Sequence, residues 1–286
     1  MADLSIESAS EPRAPRRPFP GKLIFGGVVV VVVVLAALFA DWLAPYPFDQ
    51  MHIRQRLSPP SLTFLAGTDE YGRDVFSRTL FGSRLSLFLG FTAALISLLI
   101  GVPLGLAAGY YRGRVGEIMM RSLDIIMSFP PLMLVLLIIA VTPPSLWKTS
   151  VAIGILFVSR IARIIRSLAL DLMTGEFIVA AHARGERTLY ILLRELLPNV
   201  WPAIVVEGSL RFAFAMLLGA TLSFLGFGVQ PPAADWGLII ANARSFVEDA
   251  PWIAIAPGIA MCLTVIAVSM VGDGLREYLD PKFGGR

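Results

Sequence analysis

The feature that most restricts this chain is the grouping of its apolar residues into blocks of about 20, the length an α-helix needs to cross roughly 30 Å of hydrocarbon. Six blocks are countable, at about 23–43, 84–109, 118–141, 149–170, 203–226 and 252–274. In lipid an unpaired strand leaves its backbone groups without partners, whereas a helix satisfies them within the segment. Even the run Val28 to Val34, β-prone in water, is therefore expected to be helical. The composition agrees, with 16% charged residues where a soluble domain has about 25%. The expected fold is an all-α membrane protein of six transmembrane helices.

The Pro-rich tail 1–22 carries Arg13, Arg16, Arg17 and Lys22 ahead of the first block. That block is longer than the core of a signal peptide, and Leu38 rather than a small residue stands two before Ala40. A retained first span at 23–43 is expected, then a loop 44–83, a five-helix core 84–274 holding a second long loop 171–200, and a tail 275–286. Six spans return both termini to one side. If that side is cytoplasmic, the inner segments hold sixteen Lys and Arg and the outer segments six, which places both ends in the cytoplasm.

Several functions are excluded by what the spacing lacks. The net charge of +3 is not gathered beside aromatic residues, so the basic residues report topology and no nucleic-acid partner is expected. One cysteine, Cys262, and two histidines, His52 and His182, cannot build a Cys/His metal cage unaided. The three lysines, Lys22, Lys148 and Lys282, do not follow a glycine-rich loop at the P-loop spacing, so the chain holds no ATP of its own. Gly226 and Gly228 lack the third glycine of a dinucleotide fingerprint and mark the exit of the fifth span. His52 and His182 fall in loops on opposite sides, leaving no catalytic set.

The inner loop is more informative. Thr174 is a candidate N-cap, helix formers follow, and Gly185 suits a left-handed stop. Thr188 is placed to cap a second helix whose Leu189, Leu192, Leu193, Leu196 and Leu197 share a face that Pro198 closes. Such a pair is either an interfacial hairpin bracing the fourth and fifth spans or a docking element. In the second case the small residues Ala180, Ala181 and Ala183 let a partner's groove approach the backbone closely.

Charges at membrane depth are costly and face protein, water or a partner charge. Glu207 and Arg211, four apart in the fifth span, share one helical face. They form either a self-neutralising pair or part of a substrate path. Arg121 with Asp124, and Asp273 with Arg276, are expected to pair structurally or to meet a partner subunit. Phe129, Pro130 and Pro131 interrupt the third span with a kink that is either a gate or a packing bend. Met127, Met133 and Met216 suit an apolar path or simple packing. In the outer loop, Gly67, Thr68, Asp69, Gly72, Arg73 and Asp74 read as a hydrogen-bonded turn leading into a helix, or as a contact for another protein.

Val179-Ala180-Ala181, Gly185 and Leu197-Pro198 resemble the EAA loop of binding-protein-dependent ABC importers, with Val179 where the pattern has glutamate and Glu176 one turn earlier. Gly67 to Asp74, Asp124 to Pro130, Leu222 to Pro232 with Asp235-Trp236-Gly237, and Gly272 to Arg276 with Asp280-Pro281 resemble the C-type permease of dipeptide, oligopeptide and nickel importers. The resemblance implies the type I ABC importer permease fold in the bacterial inner membrane. It implies a homologous B-type permease as partner, two cytoplasmic ATPases that hold ATP and Mg, and a periplasmic or lipid-anchored binding protein. It also implies that Glu176, Val179, Ala180, Ala181, Arg184, Gly185, Leu197 and Pro198 belong to the loop that couples to the ATPases. Phe129, Pro130, Met133, Glu207 and Arg211 are the candidates for path or gate. Two other classes stay open on the residues alone: a secondary transporter, which needs mid-span ion ligands and an inverted repeat, and a membrane scaffold with no path.

Overall fold

The computed structural model describes residues 21–140 and 145–279. The tail 1–20, the end of the expected third span at Val141, and the Asp280-Pro281 motif with its tail lie outside the described residues.

Eleven helices are described: α1 (Gly21–Leu38), α2 (Ala40–Leu43), α3 (Val75–Tyr110), α4 (Arg114–Met127), α5 (Pro131–Ala140), α6 (Leu146–Leu172), α7 (Glu176–Ala183), α8 (Thr188–Tyr190), α9 (Leu197–Phe224), α10 (Trp236–Ala243) and α11 (Trp252–Leu279). A π-helical turn, Ile191–Leu196, joins α8 to α9. Among the described residues the β pairing is one isolated bridge between Thr68 and Asp74. The chain is an all-α membrane protein, as its apolar blocks require.

Among the described residues four helical runs are long and apolar enough to cross a membrane: Gly21–Leu38, Val75–Tyr110, Thr188–Phe224 and Trp252–Leu279. α4 and α5 add a fifth crossing if they act as one, although they meet at 82°. The apolar block 118–141 is expected to be one continuous third span, and the structure breaks it at Ser128 to Pro130. Pro130 and Pro131 lack the N–H groups that would carry the helix through. α6 is 27 residues long, but Lys148, Arg160, Arg163, Arg166 and Asp171 make it more polar than the other long helices. α3 starts at Val75 rather than near 84, because Asp74 caps it there: its Oδ2 accepts the Ser77 N–H at 2.8 Å. The fifth span likewise starts well before 203, since α8, the π turn and α9 run on without a break.

α3 is the axis of the bundle and packs along α6 and against α9, which also touch each other. Small residues set the α3–α6 spacing. Gly101, Gly105 and Gly109 recur every fourth residue and lie against Ile161, Ala162 with Ile165, and Ala169. A Cβ on Gly105 would stand 2.6 Å from the Ala162 carbonyl oxygen and 2.8 Å from Ile165 Cβ. α1 is peripheral and leans on α11. Its end is held by Arg84, which donates to the carbonyls of Ala37 and Leu38 at 2.6 and 3.0 Å and pairs with Asp41 at 2.7 Å.

The two ends of α3 define the two ends of the molecule. The 44–74 loop, α10 and the start of α11 gather at one end around Val75, Ala234, Ile239 and Ile253. At the other, Tyr110 meets Thr188 and His182.

Candidate coupling and path sites

At the Tyr110 end, α7 is a two-turn helix whose stop follows from Gly185. That residue has φ +74°, and the N–H groups of Gly185 and Glu186 close back onto the carbonyls of His182 and Ala181 at 2.9 and 3.2 Å. This is the Schellman arrangement, which needs a left-handed residue where glycine costs least. The start differs from expectation: Gly175 is the N-cap, and the Thr174 hydroxyl turns back to the Asp171 carbonyl.

α7 is seated by one face and open on the other. Ile178 and Ala181 are fully buried in a cluster with Ile161, Ile165, Ile191 and Leu196. Glu176, Val179, Ala180, Ala183 and Arg184 are exposed, Val179 by 63%. Ala181 therefore does not share an outward small-residue side with Ala180 and Ala183; it is the foot on which the helix stands. Arg184 reaches Glu186 at 3.5 Å and Glu195 at 3.4 Å, tying the stop of α7 to the π turn.

The five-leucine face also changes. Leu189 and Leu193 are exposed, whereas Ile191 and Leu196 are fully buried. A π turn adds a residue to the cycle, so residues five apart align and the spacing of 3 and 4 loses its meaning. Pro198 does not close a helix. It lies exposed directly after the π turn, inside the continuous run Thr188–Phe224, where it gives up one backbone N–H without ending the helix, and Leu197 is half-buried against the cluster.

Further along α9, Arg211 Nη2 donates to Glu207 Oε2 at 3.0 Å, with the side chains 4% and 16% exposed. The guanidinium also lies 5.4 Å from the ring centres of Phe157 and Phe214. Glu207 lines a 480 Å³ cleft between α6, α9 and α11 that Asp273 and Arg276 also border. Those two do not pair with each other among the described residues. The expected Arg121–Asp124 pair is not made either: Arg121 pairs with Glu117 at 2.7 Å, and Asp124 with Arg163 on α6. At the elbow, Phe129 and Met133 are 48% and 66% exposed and Pro130 is exposed, whereas Met216 is buried against Gly90. Met216 is packing.

At the opposite end, the Gly67 to Asp74 segment folds on itself. Asp69 Oδ1 accepts the N–H groups of Tyr71 and Arg73, both at 2.9 Å, and its Oδ2 takes Arg73 Nε at 2.6 Å. The Thr68 hydroxyl bonds the Gln55 carbonyl, and the Thr68 carbonyl accepts Trp252 Nε1 at 3.1 Å. Gly67 and Gly72 take φ +72° and +74°, where their backbones press against Trp252 and His52. Thr68, Asp69, Arg73 and Asp74 are all buried, so their side chains are spent on the turn itself. Burial pushes the Glu70 carboxyl above the usual glutamate range, and the adjacent Asp69 adds to this against the pull of a backbone hydrogen bond and Arg73.

Asp235 is a tie that spacing did not single out. Its Oδ1 accepts the Ser86 hydroxyl of α3 at 2.8 Å, and its Oδ2 accepts the Ser223 hydroxyl of α9 at 2.9 Å while capping α10 through Leu238 N–H at 3.1 Å. An aspartate two residues before a glycine signals a cap, but nothing local in the sequence names its two serine partners.

Residues 101–285 match the family described as binding-protein-dependent transport system inner membrane component, and residues 23–60 match the N-terminal TM domain of oligopeptide transport permease C. The chain is 39% identical over 264 residues to the di/tripeptide transport system permease protein DppC of Pseudomonas aeruginosa, covering 90% of this chain and 87% of the relative. It is 37% identical over 257 residues to the oligopeptide transport system permease protein OppC of Bacillus subtilis, covering 90% and 84%. A chain of the inward-facing MetNI methionine ABC transporter has the same fold, with a TM-score of 0.58 at 17% identity over 71% of this chain and 96% of that one.

Proposed function

The chain belongs to the binding-protein-dependent transport system inner membrane component family, and from that premise we propose that it is the C-type permease subunit of a peptide importer. As a multi-pass inner-membrane permease of an ABC importer it is a membrane subunit. In our reading it pairs with a homologous B-type permease, takes di- or oligopeptides from a periplasmic binding protein, and docks two cytoplasmic ATPases that carry ATP and Mg. α6 counts as a sixth crossing, so that both termini are cytoplasmic. Family membership leaves an ion-gradient mechanism without support.

The observation that carries this reading is the two-faced seat of α7. A short helix exposed on Glu176, Val179, Ala180 and Arg184 and anchored through Ile178 and Ala181 can receive a push and pass it on. The route inward has two branches. Tyr110 links the segment to α3 through the Thr188 hydroxyl at 3.2 Å and the His182 ring at 6.0 Å. The π turn passes directly into α9, which holds Glu207 and Arg211. ATPase closure would rock α3 and α9 together and open the path outward, and hydrolysis would reset it, as alternating access between two global states requires. In the assembled complex, a bulky residue at Gly185 is expected to abolish substrate-stimulated ATP hydrolysis with membrane insertion intact. Coupled transport at the normal rate from that variant overturns the coupling role.

A further inference from the structure

Arg211 is charged at membrane depth and only partly satisfied by its own chain. One N–H goes to Glu207, while Nε and Nη1 are buried without a hydrogen-bond partner among the described residues. Buried polar groups of this kind are rare enough to need a reason. Two phenylalanine rings flank the guanidinium and offer their faces but no acceptor. Arg160, exposed on α6, is near enough to add its positive charge to the field there. Glu207 balances one of these two cations, which leaves the group with one positive charge in excess.

A group that brings two acceptor oxygens would complete the guanidinium in the planar fork geometry that arginine favours. Every linear peptide carries such a group at its C-terminus. Resting on the peptide-import reading above, we propose that Arg211, supported by Arg160, holds the C-terminal carboxylate of the peptide in transit. Glu207 is the occupant in the substrate-free state. It keeps the guanidinium neutralised across 3.0 Å until the carboxylate displaces it, and it then faces the 480 Å³ cleft beside it. The exchange keeps a carboxylate on the buried guanidinium before and after substrate arrives. Asp273 and Arg276, bordering the same cleft, continue the alternation of charge toward the end of the bundle that carries α7.

The test is uptake of a radiolabelled dipeptide by proteoliposomes holding the complete importer with its binding protein, with ATP hydrolysis followed in parallel. R211Q is expected to lower uptake about tenfold, the scale of a lost charge-assisted hydrogen bond, with ATP hydrolysis retained. E207Q removes the carboxylate that competes for the guanidinium, so half-maximal uptake is expected at a lower concentration of loaded binding protein, and E207Q/R211Q stays as low as R211Q. For the dipeptide C-terminal amide, delivered at matched occupancy of the binding protein, the wild type already shows the loss and R211Q adds none. Uptake restored in E207Q/R211Q, or E207Q as damaging as R211Q, reduces Arg211 to a counter-ion and overturns the proposal. An equal loss of acid and amide in R211Q overturns the carboxylate role. If R211Q does not assemble, R160Q decides: a several-fold fall in dipeptide uptake supports the site, and wild-type uptake removes it. A wild-type complex that moves another solute but neither peptide form overturns the peptide reading itself, a failure visible before any substitution.

Discussion

Arg73 Nε lies 2.6 Å from Asp69 Oδ2, with the two side chains 5% and 3% exposed, and Arg78 Nε approaches the same oxygen at 3.6 Å. One carboxylate therefore serves two buried guanidinium groups and, through its other oxygen, two backbone N–H groups of the turn. Asp69→Asn keeps the shape but takes the paired carboxylate from Arg78 and leaves Arg73 with Glu70 alone, 3.4 Å from its Nη2. Removing one partner of a buried pair costs about 3–5 kcal/mol, so a marked fall in the melting temperature of the purified protein is expected. An unchanged melting temperature would show that solvent reaches the turn.

Glu70, the neighbour of that pair, supplies a pH dependence. Burial raises its folded-state pKa above the ordinary value of 4.5. The folded chain then holds this proton to a higher pH than the unfolded chain does, so the contribution to stability falls as pH rises from the ordinary value through the raised one. Glu70→Gln is expected to remove that part of the pH slope and to be at least as stable as the native chain at neutral pH. Melting curves across the weakly acid range for both proteins check it. A steeper slope in the variant would contradict the burial argument.

The α3–α6 contact gives a third prediction. The added Cβ at Gly105 would meet backbone oxygen at 2.6 Å, and the Ala162 backbone cannot swing aside as a flexible side-chain tip can. Gly105→Leu should separate the two helices and cost at least the 1–3 kcal/mol or so typical of overpacking. Gly258→Leu, where a Cβ meets nothing within 4 Å, is the control and should leave the protein unaffected. Thermal aggregation of the detergent-solubilised protein distinguishes the two.

Lipid made the helices legible, because apolar blocks have one way to satisfy their backbones. The capped stop at Gly185 was legible for a similar reason, since a left-handed residue leaves a local signature. What the sequence hid depends on phase or on distance. Leu189 and Leu193 are left outside while Ile191 is buried beside the expected Leu196, and no residue in Ile191–Leu196 announces the π turn. Arg121 and Asp124 are close along one helix, yet each found a different partner, because α6 lies beside α4 and brings Arg163 to the aspartate. Asp235 joins serines at positions 86 and 223, a relation set by the packing of three helices.

If the ATPases dock on α7 as proposed, Val179 offers the sharpest test of that contact, because the related loop pattern has glutamate there. At 63% exposure it makes little contact with its own chain, so Val179→Glu should change stability by no more than about 0.5 kcal/mol. The new carboxylate would stand one turn from Glu176 on the outward face of α7 and strengthen a field that Arg184, tied to Glu186 and Glu195, does little to oppose there. Association with the ATPase subunits is expected to tighten several-fold at low salt and to return toward the native value at high salt, where exposed charges are screened. Val179→Ala, which adds no charge, should bind as the native chain does. Affinity that is the same for all three chains at both salt concentrations would mean that attachment rests on the shape of α7 and its Gly185 stop, with the charge at position 179 irrelevant to it.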